Sequence, residues 1–219
     1  MPLIIRAAKD DAEIMIYDAI GADFWGDGVT AKGFDKDLKA LGSPKKITVR
    51  INSGGGDVFD GVAIFNTLAR HPARKVVEVD GLAASAASVI AMAGDEIRMG
   101  EGAFLMIHNA WGFAMGNAAE MRRTASLLDS VSGQLAEIYA RRTGRKAADV
   151  VKMMDAETWM DAETAIAEGF AERRSDSSVK MAASIDLARF RNLPAALRGH
   201  AAAGPKLAAL KARVAAARA

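Results

Sequence analysis

The sequence predicts an α/β domain built on right-handed crossovers. Three observations carry this. Short runs rich in β-branched residues, 46–51 and 75–79, alternate with stretches whose apolar residues recur at three- and four-residue steps. Each of these runs empties into glycine and small residues, the chemistry of a turn into a helix. A proline-free stretch, 117–142, has the pattern of one long amphipathic helix.

Taken in order, residues 13–20 form a strand that Gly21 ends, and 23–28 a turn-rich loop. Thr30 caps a helix to about Leu41, with Phe34, Leu38 and Leu41 on one face, and Gly42-Ser43-Pro44 stops it. The 46–51 strand runs into Gly54-Gly55-Gly56. A helix over about 57–70 has Val58, Val62, Phe65 and Leu68-Ala69 as its expected buried stripe, and His71-Pro72 ends it. After the 75–79 strand a glycine turn at Gly81 leads into a buried helix around 89–93. Two short strands follow, 96–99 and 103–107. In the long helix Ala118, Met121, Ala125, Leu128, Leu135 and Tyr139 form the stripe, interrupted at Ser132, and Thr143-Gly144 ends it. Helices at 147–154 and 162–168 complete a domain of residues 1–174. Beyond it, 175–178 is a linker to a basic, alanine-rich tail, 175–219, with helix-prone pieces around 185–191 and 206–218. The tail is expected to be mobile; a docking arm, or a segment removed by self-cleavage, are its other readings.

The 219 residues suffice for one sizeable core. A net charge of +2 is too small to point to nucleic acid. The absence of cysteine excludes a disulfide framework, a cysteine nucleophile and a thiolate metal site, and fits the cytoplasm. No apolar run is long enough to span a bilayer, and Lys9-Asp10-Asp11 comes too early for a secretory signal. The triple glycine lacks the Gly-Lys-Ser/Thr of a phosphate loop, and no Gly-x-Gly-x-x-Gly occurs, so no nucleotide or other cofactor is expected.

The chemistry centres on Gly81-Leu82-Ala83-Ala84-Ser85-Ala86-Ala87-Ser88. A serine at the entry to a buried helix is either an ordinary cap or a nucleophile whose oxyanion the helix amides would hold. Ser88 competes, but three residues on it lies inside the helix and faces the core. Any histidine base must be His71, His108 or His200. His71, before a proline at a helix end, and His200, in the tail, are weak rivals of His108, which ends an apolar strand where an isolated histidine is more often structural.

Three segments together resemble the ClpP family of serine peptidases: Asn52-Ser53-Gly54-Gly55-Gly56, Gly81-Leu82-Ala83-Ala84-Ser85 and Met106-Ile107-His108. They match, in order and spacing, the family's Asn-Ser-Pro-Gly-Gly, Gly-x-Ala-Ala-Ser and Met-Ile-His. The likeness covers roughly residues 11–174. Val58-Phe59-Asp60-Gly61, Ala84-Ser85-Ala86-Ala87-Ser88 and Glu157-Thr158-Trp159-Met160 resemble the phage and prophage members that mature capsids.

The resemblance implies the ClpP/crotonase-like fold of repeated β-β-α units, in which 117–142 is the handle helix joining two heptameric rings. It implies Ser85 as nucleophile and His108 as base. Counted without gaps from Thr143-Gly144, the family's aspartate lands on Glu157, with Asp155 as second choice and a helix-capping role as the bland alternative for Glu157. It implies the amides of Gly56 and Ala86 as oxyanion donors, and an extended polypeptide held by Gly55, Asp57 and Val58 on one side and Trp111 and Gly112 on the other. Gly54 stands where the family has proline, which loosens that loop. The expected protein is a ring-forming serine endopeptidase in the cytoplasm of a bacterial host, cutting capsid or scaffold protein, with no nucleic-acid or membrane partner. A general Clp proteolytic subunit fed by an ATPase, a crotonase-type acyl-CoA enzyme and an inactive scaffold protein are the alternatives.

Overall fold

The computed structural model describes residues 4–8, 10–22, 28–176, 187 and 189–198. The loop at 23–27, positions 177–178 of the linker and the alanine-rich piece at 206–218 lie outside the described residues. One sheet organises the fold, with strands β1 (Ile4–Ala8), β2 (Asp11–Ile16), β3 (Lys46–Ser53), β4 (Arg74–Ala84), β5 (Glu96–Met99), β6 (Phe104–Ile107), β7 (Thr158–Asp161) and β8 (Arg173–Arg174). Its main path runs β1-β2-β3-β4-β5-β8, parallel throughout except for the antiparallel β1–β2 pair. The α/β fold expected from the strand–helix alternation is the one observed.

Strand β4 is shared between two partners. Its first half, Val76 to Val79, pairs with β5, and its second half, Leu82 to Ala84, pairs with β6. β6 then pairs antiparallel with β7. The register against β3 shifts at this fork: Ile51 faces Val79 but Ser53 faces Ala83, so three β4 residues stand opposite one of β3. Such a bulge bends a strand and re-aims its end. The turn expected at Gly81 is therefore absent, and Gly81 lies inside a strand that continues to Ala84. Small residues there let β6 come alongside, which periodicity alone does not reveal. β2 likewise stops at Ile16, and Ile20 instead bridges Val29 and Gly56.

The alternation in β3 explains the core. Ile47, Val49 and Ile51 are fully buried with Ile14, Ile16, Val77, Val79, Ile97 and Met99. Helices α1 (Ala31–Ala40) and α2 (Val58–Arg70) cover them with Phe34, Leu38, Ile64 and Leu68. Thr30 and Asp57 cap these two helices by accepting from Gly33 N–H and Asp60 N–H. The short α3 (Ala86–Ala91) is buried at every position. Helix α4 (Ala118–Thr143) begins with a capping box, in which Asn117 and Glu120 satisfy each other's backbone N–H groups. It is buried only from Leu135 onward; Met121 and Leu127 are exposed. The front of this helix therefore projects, as a handle helix would. Helices α5 (Ala147–Asp155) and α6 (Ala162–Ala167) follow.

A buried polar group braces the bulge. Asp80 accepts from Tyr17 O–H at 2.5 Å and Arg50 Nε at 2.9 Å, and the Arg50 fork adds a second bond. Burial, reinforced by the bond to Asp80, pushes Tyr17 up to about 12. Removing Asp80 would leave the largely buried Arg50 with Glu13, 3.9 Å away, as its one carboxylate partner among the described residues. Asp80→Ala is expected to lower stability by about 3 kcal/mol, read from the midpoint of a urea titration.

In the region read from sequence as a tail, Leu187, Phe190 and Leu197 are buried against Leu82, Ala84 and Met106 of the β4–β6 fork. Ala195–Arg198 form one short helical turn, α7.

Candidate active site

Ser85 is the single residue between β4 and α3. Its backbone has φ +56 and ψ −127, a conformation an L residue adopts only when held there. The restraints are visible. Ser85 N–H donates to the Met106 carbonyl at 3.0 Å, and the Ser85 carbonyl accepts from Ser88 N–H and from Ser88 Oγ at 2.7 Å. Ser88 has one hydroxyl hydrogen and gives it to that carbonyl, so in its 2.8 Å contact with Tyr139 the tyrosine is the donor. Tyr139 is buried, and burial drives its phenol far above the ordinary range. Ser88 thus faces the core, as expected, and helps hold the turn on which Ser85 sits.

His108 follows β6. Because Ala84 stands opposite Met106, the residues just past each strand end meet: His108 Nε2 lies 2.8 Å from Ser85 Oγ. For Nε2 to accept from the serine, the ring must carry its hydrogen on Nδ1. Burial pulls the imidazole below its ordinary 6.5; Glu157 works to raise it, and Arg189 and Arg191 to lower it. A base must be neutral to take a proton. The acid limb of activity against pH is therefore expected to have its midpoint below 6.5; initial rates of peptide cleavage across pH measure it.

Glu157 sits in the turn between α5 and β7, also at positive φ, +49, and only 4% exposed. Its carboxylate accepts from Asn192 N–H at 2.7 Å, Arg191 N–H at 3.2 Å and the Trp159 indole at 3.2 Å. Burial would raise the carboxyl, but these bonds and the nearby His108 outweigh it and hold the group below its usual value. Asp155 accepts from the Asn109 side chain at 2.7 Å. Among the described residues no hydrogen bond joins either acid to the imidazole; Glu157 acts on it through its charge.

The glycine loop closes the site from the other side. Ser53 Oγ donates to the Asp18 carbonyl and accepts from Gly55 N–H. Ile20 N–H bonds the Gly55 carbonyl, and Asp57 N–H bonds the Ile20 carbonyl. Gly55 has φ +85, and a Cβ there would lie 2.5 Å from the Ala84 carbonyl and 2.7 Å from Ser85 Cβ. At Gly56, φ +156, a Cβ would lie 2.1 Å from the Ile20 carbonyl. Only glycine lets this loop lie against the serine turn. Among the described residues, the N–H groups of Gly56 and Ala86 have no hydrogen-bond partner. Both residues line the same cleft as Ser85.

A cleft of about 310 Å³ opens beside Ser85, walled by Asp57, Val58, Phe59, Trp111, Leu128 and Arg189. Of the residues expected to hold substrate, Asp57, Val58 and Trp111 line it; Gly55 lies behind the serine turn, and Gly112 lies outside the lining. Tyr139, Trp159, Phe190, Arg191 and Asn192 were not expected near the site. A signal for the last group existed: Leu187, Phe190, Leu193 and Leu197 recur at three- and four-residue steps within the alanine-rich tail.

A family model described as Clp protease matches residues 5–176. The ATP-dependent Clp protease proteolytic subunit 1 of Leifsonia xyli is 30% identical over 147 residues, 66% of this chain and 75% of that protein.

Proposed function

We propose, from the premise that this chain belongs to the Clp protease family, that Ser85, His108 and Glu157 carry out peptide-bond hydrolysis by an acyl-enzyme route. Membership in the family makes the chain a serine-type peptidase. Ser85 Oγ attacks the scissile carbonyl carbon while His108 Nε2 takes its proton. The carbonyl oxygen gains the charge and receives the N–H groups of Gly56 and Ala86. His108 then gives the proton to the leaving amine. Water, activated by the same imidazole, releases the acid and restores Ser85. Glu157 stabilises the imidazolium through its charge. The observation that carries this reading is the 2.8 Å Ser85–His108 contact, in a cleft lined also by Gly56 and Ala86, whose N–H groups have no partner among the described residues.

The substrate is an extended polypeptide lying between the Gly56–Phe59 stretch and Trp111, its backbone pairing with the exposed loop edge. The working form is a homo-oligomeric ring, heptameric by family likeness, in which the projecting half of α4 finds its partner. The phage-like wording at 58–61 and 157–160 supports limited cleavage of capsid or scaffold protein in the bacterial cytoplasm. A second reading, a subunit that degrades substrates delivered by a Clp ATPase, is supported by likeness to the Leifsonia proteolytic subunit, an ATP-dependent Clp protease component.

Intact mass after treatment with a fluorophosphonate tests the reaction. One adduct on the wild type and none on Ser85→Ala is expected. No adduct on the assembled wild type rules the serine mechanism out, and an adduct surviving in the variant places the nucleophile elsewhere. Cleavage of unfolded casein that starts only when a Clp ATPase and ATP are added favours the second reading; a few discrete cuts in a co-expressed capsid protein without them favour the first.

A further inference from the structure

Residues 187 and 189–198 lie beyond the segment that matches the family, yet they touch the proposed site at three points. Arg189 donates to the Gly54 carbonyl, where the oxyanion loop begins. Phe190 stands edge-on to His108, with ring centroids 5.8 Å apart, and edge-on to Trp159 at 5.3 Å. The next two N–H groups, of Arg191 and Asn192, clasp the Glu157 carboxylate. The Asn192 side chain adds a bond to the Ala156 carbonyl at 2.8 Å. Leu187, Phe190 and Leu197 anchor the segment in the apolar cluster on the β4–β6 fork. The strap runs beside the cleft rather than through it: among its described residues only Arg189 reaches the wall near Ser85.

We propose that this strap is a positioning element of the catalytic site, fastening the oxyanion loop through Arg189 and holding the Glu157 carboxylate through the Arg191 and Asn192 amides. The inference rests on the serine-peptidase reading. Each contact answers a specific need. A loop of three consecutive glycines has no side chain to restrain it, and the guanidinium on the Gly54 carbonyl supplies a restraint. A carboxylate as buried as Glu157 takes up a proton unless donors hold its charge, and two of its three N–H donors come from the strap. Phe190 keeps water from one edge of the imidazole. The charged groups facing His108 are Glu157, from the turn after α5, and Arg189 and Arg191, from the strap.

Five substitutions in the full chain test this. Asn192→Pro deletes the N–H that binds Glu157, whereas Asn192→Ala keeps it. Arg189→Ala releases Gly54, and Arg189→Lys preserves the charge. The expected result is a kcat lower by about 10- to 100-fold in Asn192→Pro and Arg189→Ala. KM should stay within about twofold. Asn192→Ala should stay close to wild type, and Arg189→Lys should recover part of the loss. In Phe190→Ala the acid limb of kcat/KM should move to higher pH, because water regains the imidazole; a merely structural strap would leave it in place. Melting curves accompany each variant, and Arg189→Ala decides the case if Asn192→Pro does not fold. Unchanged kcat in both key variants overturns the proposal. A raised kcat also overturns it, because the strap would then be an inhibitor. Wild type that fluorophosphonate does not label overturns the peptidase reading and the strap with it; wild type that labels at Ser85 while the variants label equally fast overturns the strap alone.

Discussion

In His108→Ala, kcat is expected to fall by about 10⁴- to 10⁶-fold, and adding Ser85→Ala should cost almost nothing more. The two side chains act as a unit. The serine hydroxyl is a weak nucleophile until a base takes its proton, and the base has no other task in the attack. Once either is gone, what remains is the oxyanion pair and substrate binding, and the second removal has nothing left to take. Steady-state rates of the two single variants and the double variant give the cycle directly. If the two losses multiply instead, Ser85 and His108 do not work through the contact seen between them. Neither change should disturb the fold: alanine at 85 inherits the same strained backbone, and among the described residues the imidazole makes one hydrogen bond. Melting temperatures provide that control.

Gly55→Ala is the second large effect, and it reaches the site without touching a reacting atom. The new methyl would press on the Ala84 carbonyl, Ser85 Cβ and the Ala86 amide nitrogen, at 2.5, 2.7 and 2.9 Å. All belong to the serine turn, and two of them are backbone atoms that cannot swing aside. The loop must retreat, and Gly56 N–H goes with it. Losing one oxyanion donor is expected to lower kcat by about 10²- to 10³-fold. The strained φ and the crowding should also destabilise the fold by about 1–3 kcal/mol. Labelling by a fluorophosphonate would slow in parallel, since its phosphoryl oxygen needs the same donors. A variant that keeps full kcat would show that the Gly56 amide is not used.

The strand–helix alternation was legible because β-branched runs, caps and stripes are local signals. Thr30, Asp57 and Asn117 each cap the helix that their neighbours predict. The division of β4 between two partners was not legible, since the bulge opposite Asn52 arises from pairing with β3 and β6, both distant in sequence. Small residues at 81–84 fit a turn and a crowded strand equally well. At the site, Ser85 and His108 could be picked out because an ordered set of motifs frames them. The surroundings of Glu157 could not, because its strap donors are backbone N–H groups, which leave no mark in side-chain identity. The Arg50–Asp80–Tyr17 group was hidden for a related reason: charged residues alternating along a strand look like a solvated face until a neighbouring strand buries them.

Asn192 follows Glu157 by 35 positions in the chain. At ribosomal speeds of about 5–20 residues per second, that separation is roughly 2–7 s of synthesis. The proposed nucleophile and base, Ser85 and His108, are thus made early, while the amides that clasp Glu157 come late. A growing chain passes through an interval in which it carries both reactive side chains but lacks the clasp. On the proposed role of the strap, that order postpones competence until most of the domain has been synthesised.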